Sequence, residues 1–168
     1  MKGYDYSTTG AYFITICTQN RKNILSSIPT LSSVGEGLPL PQDSHISQLS
    51  QWGRITEKWI MEISNKYEEI TVDCYVIMPN HIHLLLTVMP NDGRGDPSPT
   101  VETVVGWLKY HITEEINKTR NIIGERVFQR SFYDHVVRNR DDYNEILKYI
   151  RENPLRWQYD KLFSEDIL

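Results

Sequence analysis

The spacing of hydrophobic positions changes along this chain, and each change marks an element. Tyr12-Phe-Ile-Thr-Ile-Cys-Thr18 is dense in aromatic and β-branched residues and reads as a strand. Leu49, Trp52, Ile55, Trp59, Ile60 and Ile63 recur mostly at steps of three and four, which predicts an amphipathic helix over residues 46–67. Residues 70–78 form a second expected strand, and Pro79-Asn80 makes a tight connection into a third, 81–88. A second helix is expected over 101–120, with Thr100 as its N-cap. Residues 127–138 contain the fourth strand. A third helix, 140–153, starts at Asn139 as N-cap, carries Asp141 and Asp142 in its first turn, and stops before Pro154.

This order of elements predicts an α+β fold, a ferredoxin-like antiparallel four-stranded sheet with helices packed on one face. A hairpin of the second and third strands puts 81–88 in the middle of the sheet, and the C-terminal helix carries Tyr149. The length of 168 residues suits one domain, 1–168. Residues 26–46 are proline-rich and without period, so they read as a loop insertion. A second linker spans 90–100.

The third strand carries the first chemical signal. Side chains alternate along a strand, so His81, His83, Leu85 and Thr87 share one face, while Ile82, Leu84, Leu86 and Val88 make a purely apolar one. Two imidazoles on one face form the geometry of a metal-ligand pair. On the third helix, Tyr149 and Asn153 are four apart and also share a face. Asn153 is open to two readings: a metal ligand through its amide oxygen, or the helix C-cap.

Composition narrows the classes. No run approaches the ~18 apolar residues of a membrane span. The opening Met1-Lys-Gly-Tyr-Asp-Tyr6 lacks an apolar signal region, so the expected location is cytoplasmic. Cys17 and Cys74 read as small buried hydrophobes rather than a disulfide framework. A net charge of −4 argues against indiscriminate nucleic-acid binding. Its distribution is uneven, because residues 105–161 hold 11 Lys/Arg against 9 Asp/Glu, a balance of +2, and the rest carries −6. Arg120, Arg126, Arg130, Arg138, Arg140, Arg151 and Arg156 are candidates for phosphate contacts in that stretch, against the alternative that most of them solvate helix faces. His135 either lines the site or makes a structural hydrogen bond. Trp107, Tyr110, Phe132, Tyr133 and Trp157 are candidates for stacking unpaired bases, although Trp107 and Tyr110 are better expected to pack against the sheet.

Longer strings carry more information than single residues. Tyr75-Val-Ile-Met-Pro-Asn-His-Ile-His83 and Tyr149-Ile-Arg-Glu-Asn-Pro154 resemble the two signature segments of single-tyrosine HUH transposases, the IS200-like group that includes the REP-associated tyrosine transposases. Ala11-Tyr-Phe-Ile-Thr-Ile-Cys-Thr-Gln-Asn-Arg21 and Phe132-Tyr-Asp-His-Val-Val-Arg-Asn139 extend the resemblance, which leaves out roughly 26–46 and the last dozen residues. It implies metal-assisted cleavage and rejoining of single-stranded, hairpin-containing DNA through a 5′-phosphotyrosine. Tyr149 is then the nucleophile, His81, His83 and Asn153 hold Mg²⁺ or Mn²⁺, and the protein is a monomer or homodimer. Two rivals remain: a domesticated DNA-binding protein without transposition, and a replication-initiator-type nickase. Initiators tend to join a helicase domain, and relaxases generally place the tyrosine before the histidines.

Overall fold

The computed structural model describes residues 10–28, 47–90 and 99–163. Most of the proline-rich 26–46 segment, most of the second linker, the opening residues and His45 therefore lie outside the described residues. In chain order the elements are β1 (Gly10–Cys17), β2 (Ser26–Ser27), β3 (Gln48–Leu49), α1 (Gln51–Met61), α2 (Ile63–Lys66), β4 (Ile70–Ile77), β5 (His81–Val88), α3 (Val101–Arg120), β6 (Tyr133–Val137) and α4 (Arg140–Glu152). A 3₁₀ helix, Asn153–Tyr159, follows directly. The main sheet has the order β4-β5-β1-β6 with every neighbouring pair antiparallel, the ferredoxin-like arrangement, and β5 is internal.

Three expected boundaries shift. Gln48 and Leu49 pair with Ser27 and Ser26, so the first helix begins later, at Gln51, with the Ser50 hydroxyl accepting the Gly53 N–H. The fourth strand shortens to Tyr133–Val137, and Phe128 only bridges Thr18. Pro154 ends α4 but does not end helical backbone. It lacks a donor that the first turn of a helix does not need, so the chain passes into the 3₁₀ helix. Both other proposed caps form: Thr100 accepts from Thr103 N and Asn139 from Asp142 N.

One face of the sheet is the main core. Tyr12, Ile14 and Ile16 of β1 and Ile82, Leu84, Leu86 and Val88 of β5 meet Ile60, Val104, Val105, Leu108 and Ile112 from α1 and α3. The opposite face is smaller, with Leu85 packed against Ile146 and Ile150 of α4 and flanked by Phe13, Val76 and Val137. The helices thus do not all share one face, as the sequence pattern suggested. Leu85 and the histidines sit on the second side of an internal strand, and α4 crosses over to cover it.

A bulge in β4 makes this two-sided burial consistent. Between Val72 and Cys74 the register slips, so Ile70, Val72, Tyr75 and Ile77 all serve the main core while Cys74 and Val76 serve the α4 side. Without the extra residue one half of β4 would present its side chains to the wrong layer. Asp73, at the slip, accepts a hydrogen bond from the Thr87 hydroxyl across the strands. Of the two aromatic residues of α3, Trp107 packs against the main core, edge-on to Trp59 and Tyr67, whereas Tyr110 departs from expectation and is exposed.

The start of α1 is docked against the buried Leu25 segment. Ser50 N donates to Leu25 O and Ser50 Oγ to Ile24 O, at 2.9 and 2.6 Å. That closeness requires Gly53, since a Cβ there would overlap the Leu25 carbonyl. Gly53→Ala is therefore expected to lower stability by roughly 1–3 kcal/mol through overpacking, although alanine is the better helix former. Urea unfolding checks this, and an unchanged or raised midpoint would show that the approach can relax.

Candidate active site

β5 brings His81 and His83 together on the α4 side of the sheet, both almost fully buried. Their Nε2 atoms face each other at 3.1 Å. The Nδ1 partners explain why. Asn80 donates its Nδ2 to Leu162 O at 2.8 Å, which turns its Oδ1 toward His81 Nδ1 at 2.9 Å. An acceptor there requires His81 to carry its proton on Nδ1, leaving Nε2 as a bare lone pair. Thr15 Oγ1, on the neighbouring strand, stands 2.8 Å from His83 Nδ1 and can serve His83 in the same way. Burial pushes His81 down to about 4, opposed by Asp160 and assisted by Arg21, and burial followed by the proximity of His81 holds His83 well below the usual histidine range. Two neutral imidazoles with converging lone pairs are the state in which histidine binds a cation.

Tyr149 comes to the pair from α4. Its hydroxyl lies 3.5 Å from His83 Nε2, and its ring packs edge-on against Phe13 and His83. It remains 45% exposed, whereas His81 is sealed, partly by Trp157 of the 3₁₀ helix. Burial raises the Tyr149 pKa, with a further rise from Asp160. One turn on, Asn153 is only 3% exposed and donates from Nδ2 to Asp160 Oδ2 at 3.2 Å. Its Oδ1 is buried with no hydrogen-bond partner. An unpartnered buried acceptor is costly, and beside this histidine pair it fits a cation ligand. His81, His83 and Asp160 bring one ligand atom each to within 4.8 Å of one another. A groove of about 920 Å³ opens over His83, Tyr149 and Asn153 and is bordered by Tyr133, Arg156 and Asp160.

The other candidates divide. Tyr133 borders the groove and is exposed, and Arg130 is exposed next to the Gln129 and Ser131 that line it. Arg138 is exposed at the opposite end of α4, roughly 16 Å from Tyr149 at ~1.5 Å per residue. Arg151 lies against Cys74 at the β4 edge, in a separate groove with Glu57 and Tyr75. His135 is on the histidine face of the sheet, yet Nε2 is committed to Asp142 at 3.0 Å. The Arg138 backbone N–H and then His135 hold the Asp142 carboxyl below its usual value, so the trio fastens β6 to the first turn of α4. Trp157 is buried and offers no face for a base. The cysteines are free and half-buried, with burial raising both thiols.

Sequence reasoning missed Thr15, Asn80 and Asp160. Asn80 stood inside the quoted string Met78-Pro-Asn-His-Ile-His83, so a signal existed. Thr15 required the β1–β5 register, which pairs it with His83. Asp160 had no local signal.

A ferredoxin-like sheet with one helix-borne tyrosine over a strand-borne histidine pair is the class of the single-tyrosine transposases. A profile for IS200-like transposases matches residues 49–153, and the chain belongs to that family. A Haemophilus influenzae protein of uncharacterized function is 28% identical over 183 aligned positions, 98% of this chain and 91% of its own length. A second protein from that organism, provisionally named a REP-associated tyrosine transposase, is 31% identical over 97 positions, 53% of this chain and 52% of that one. Among solved structures, a REP-associated tyrosine transposase bound to a REP hairpin is similar with a TM-score of 0.56 and 19% identity, covering 96% of this chain and 77% of that one. A transposase candidate from Deinococcus radiodurans R1 gives 0.50 and 14%, covering 90% and 96%. These two likenesses show the fold. No helix among the described residues is long and apolar enough to cross a membrane.

Asn80 carries a disproportionate share of this site. Asn80→Ala would leave His81 Nδ1 and the Leu162 carbonyl without their partner, and each such group costs about 1–3 kcal/mol when buried. The expected result is a loss of at least that size in urea unfolding. A shift of a few tenths would mean that water replaces the amide.

Proposed function

We propose that this protein cleaves and rejoins single-stranded DNA through a covalent 5′-phosphotyrosine at Tyr149, with Mg²⁺ or Mn²⁺ held by His81, His83 and Asn153. The observation that carries this reading is the Tyr149 hydroxyl standing 3.5 Å from His83 Nε2 at the open edge of an otherwise buried site. Membership in the transposase family supports the same conclusion.

The residues divide the work. The His81 and His83 lone pairs and the orphaned Asn153 Oδ1 supply neutral donors, which leave room for oxygen atoms of a substrate. When bound, the cation supplies positive charge that offsets the phosphate's and favours the ionised phenol. Tyr149 attacks phosphorus: a Tyr–O–P bond forms, the P–O bond to the upstream 3′ oxygen breaks, and the proton lost by the phenol is balanced by one taken up at that oxygen, which leaves as a free 3′-OH. Because the phosphodiester's energy is kept in the phosphotyrosine, a free 3′-OH can reverse the step and join a new strand. That proton is hard to lose in the buried site alone, since burial raises the Tyr149 pKa.

The substrate assignment rests on the groove. It opens beside Tyr149 and His83, and exposed Tyr133 at its border offers a stacking surface for an unpaired base. Arg156 borders the same groove, although it also pairs with Glu152 at 2.9 Å. The solved relative was bound to a REP hairpin, and a hairpin-bearing strand is the proposed substrate here. On this reading Arg130, exposed next to the groove-lining Gln129 and Ser131, would meet that strand, whereas Arg138 and Arg151 would touch only DNA extending well beyond the scissile phosphate.

Incubation with Mn²⁺ and single-stranded hairpin DNA from sequence flanking the gene is expected to give a denaturation-resistant adduct. Tyr149→Phe removes one hydroxyl and should abolish it while the fold survives. An adduct that persists in Tyr149→Phe moves the nucleophile elsewhere, and no adduct with any flanking strand favours a binder without transposition. Calorimetric titration with Mn²⁺ should show binding by the wild type that is lost in His81→Ala/His83→Ala. Equal binding by both would remove the histidine pair from the metal site.

A further inference from the structure

We infer that Asp160 is a further protein ligand of the cation, so that the site is built from two imidazoles, one amide oxygen and one carboxylate. This inference rests on the metal reading above. The placement is direct: a carboxylate oxygen of Asp160 and one ring nitrogen each of His81 and His83 all lie within 4.8 Å of one another. A common ion at about 2.0–2.2 Å from each ligand leaves them at most about 4.4 Å apart, so atoms already within 4.8 Å of one another need only small shifts to share one.

The carboxylate is also held ready. Leu162 N donates to Asp160 Oδ1 at 2.6 Å and Asn153 Nδ2 to Oδ2 at 3.2 Å, and the Tyr149 hydroxyl also faces this carboxylate, whose two oxygens together offer about four lone-pair sites. The turn that bears Asp160 is tied to the histidines by Asn80, which binds Leu162 O with one end of its amide and His81 Nδ1 with the other. Trp157 packs between His81 and Phe163 and closes the same turn over the strand. An independent feature points to the same ion. Asn153, which lines the same groove as His83 and Asp160, buries an amide oxygen with no hydrogen-bond partner, a donor type that an ion there could use.

Charge gives the chemical reason. Two histidines and an asparagine are neutral, and hard cations such as Mg²⁺ and Mn²⁺ prefer oxygen donors with negative charge. Asp160 supplies the single negative charge of the set. The competing explanation is that Asp160 only orients Asn153 through their hydrogen bond.

Mn²⁺ titration by calorimetry separates the two. Asp160→Asn keeps an acceptor for Asn153 but removes the charge, and it is expected to weaken Mn²⁺ binding about tenfold or more. Asp160→Cys replaces a hard ligand with a soft one. It is expected to bind Cd²⁺ more tightly than the wild type does and to show a thiolate-to-cadmium charge-transfer band. Wild-type Mn²⁺ affinity in Asp160→Asn, or a folded Asp160→Cys without the band, overturns the ligand role and leaves the histidine site standing. Failure of the wild type itself to bind Mn²⁺ overturns the metal reading and this inference with it.

Discussion

The double burial of β5 is the constraint on which the rest depends. The strand runs between β1 and β4 and is covered on both faces, so its alternation assigns every residue to one of two interiors. Ile82, Leu84, Leu86 and Val88 meet α1 and α3 in a conventional core. His81, His83 and Leu85 face the other way, where an ordinary apolar layer would have to bury two polar rings. α4 resolves this by dividing the face lengthwise. Ile146 and Ile150 cover Leu85, and the histidines are left to Tyr149, Asn153 and the turn of chain that follows. The bulge in β4 is part of the same solution, because it lets an edge strand serve both layers.

The histidine end of that face concentrates acceptors. Two Nε2 atoms at 3.1 Å and the Asp160 carboxylate come together there, and Asn153, hydrogen-bonded to Asp160, buries an unpartnered oxygen. Such a grouping costs stability in the absence of a cation, and binding to the folded state alone would return it. The rings are oriented from their other side, where the Asn80 amide oxygen accepts from His81 Nδ1 and the Thr15 hydroxyl stands against His83 Nδ1. The same burial that keeps the imidazoles neutral also raises the pKa of the phenol, and on the proposed function a bound cation would offset that rise.

Access is one-sided. Trp157 and the 3₁₀ helix seal His81, while the groove reaches His83 and Tyr149. Strong non-specific attraction for DNA is not built in, since the net charge is −4 and Arg156 at the groove is paired with Glu152. Strand choice would then depend on shape and stacking more than on a field of charge. The His135–Asp142 pair and the Asn139 cap hold the far end of α4 to β6, so the tyrosine is carried on a helix anchored at both ends.

Much of this was legible in the chain. Period-two alternation put the histidines on one face, period-four spacing put Tyr149 and Asn153 on another, and Thr100 and Asn139 announced their helices. These are local properties, read from a few consecutive residues whose geometry the backbone dictates. Tertiary structure decided that α4 crosses to the second face, that Arg138 and Arg151 stand away from the tyrosine, and that His135 is occupied by Asp142. It also buried Trp157, and it brought Thr15, Asn80 and Asp160 to the imidazoles. Those outcomes depend on which distant segment covers a surface and on single polar contacts across the sheet. A polar contact between residues far apart leaves no period in the sequence, because its geometry exists only once both segments are packed.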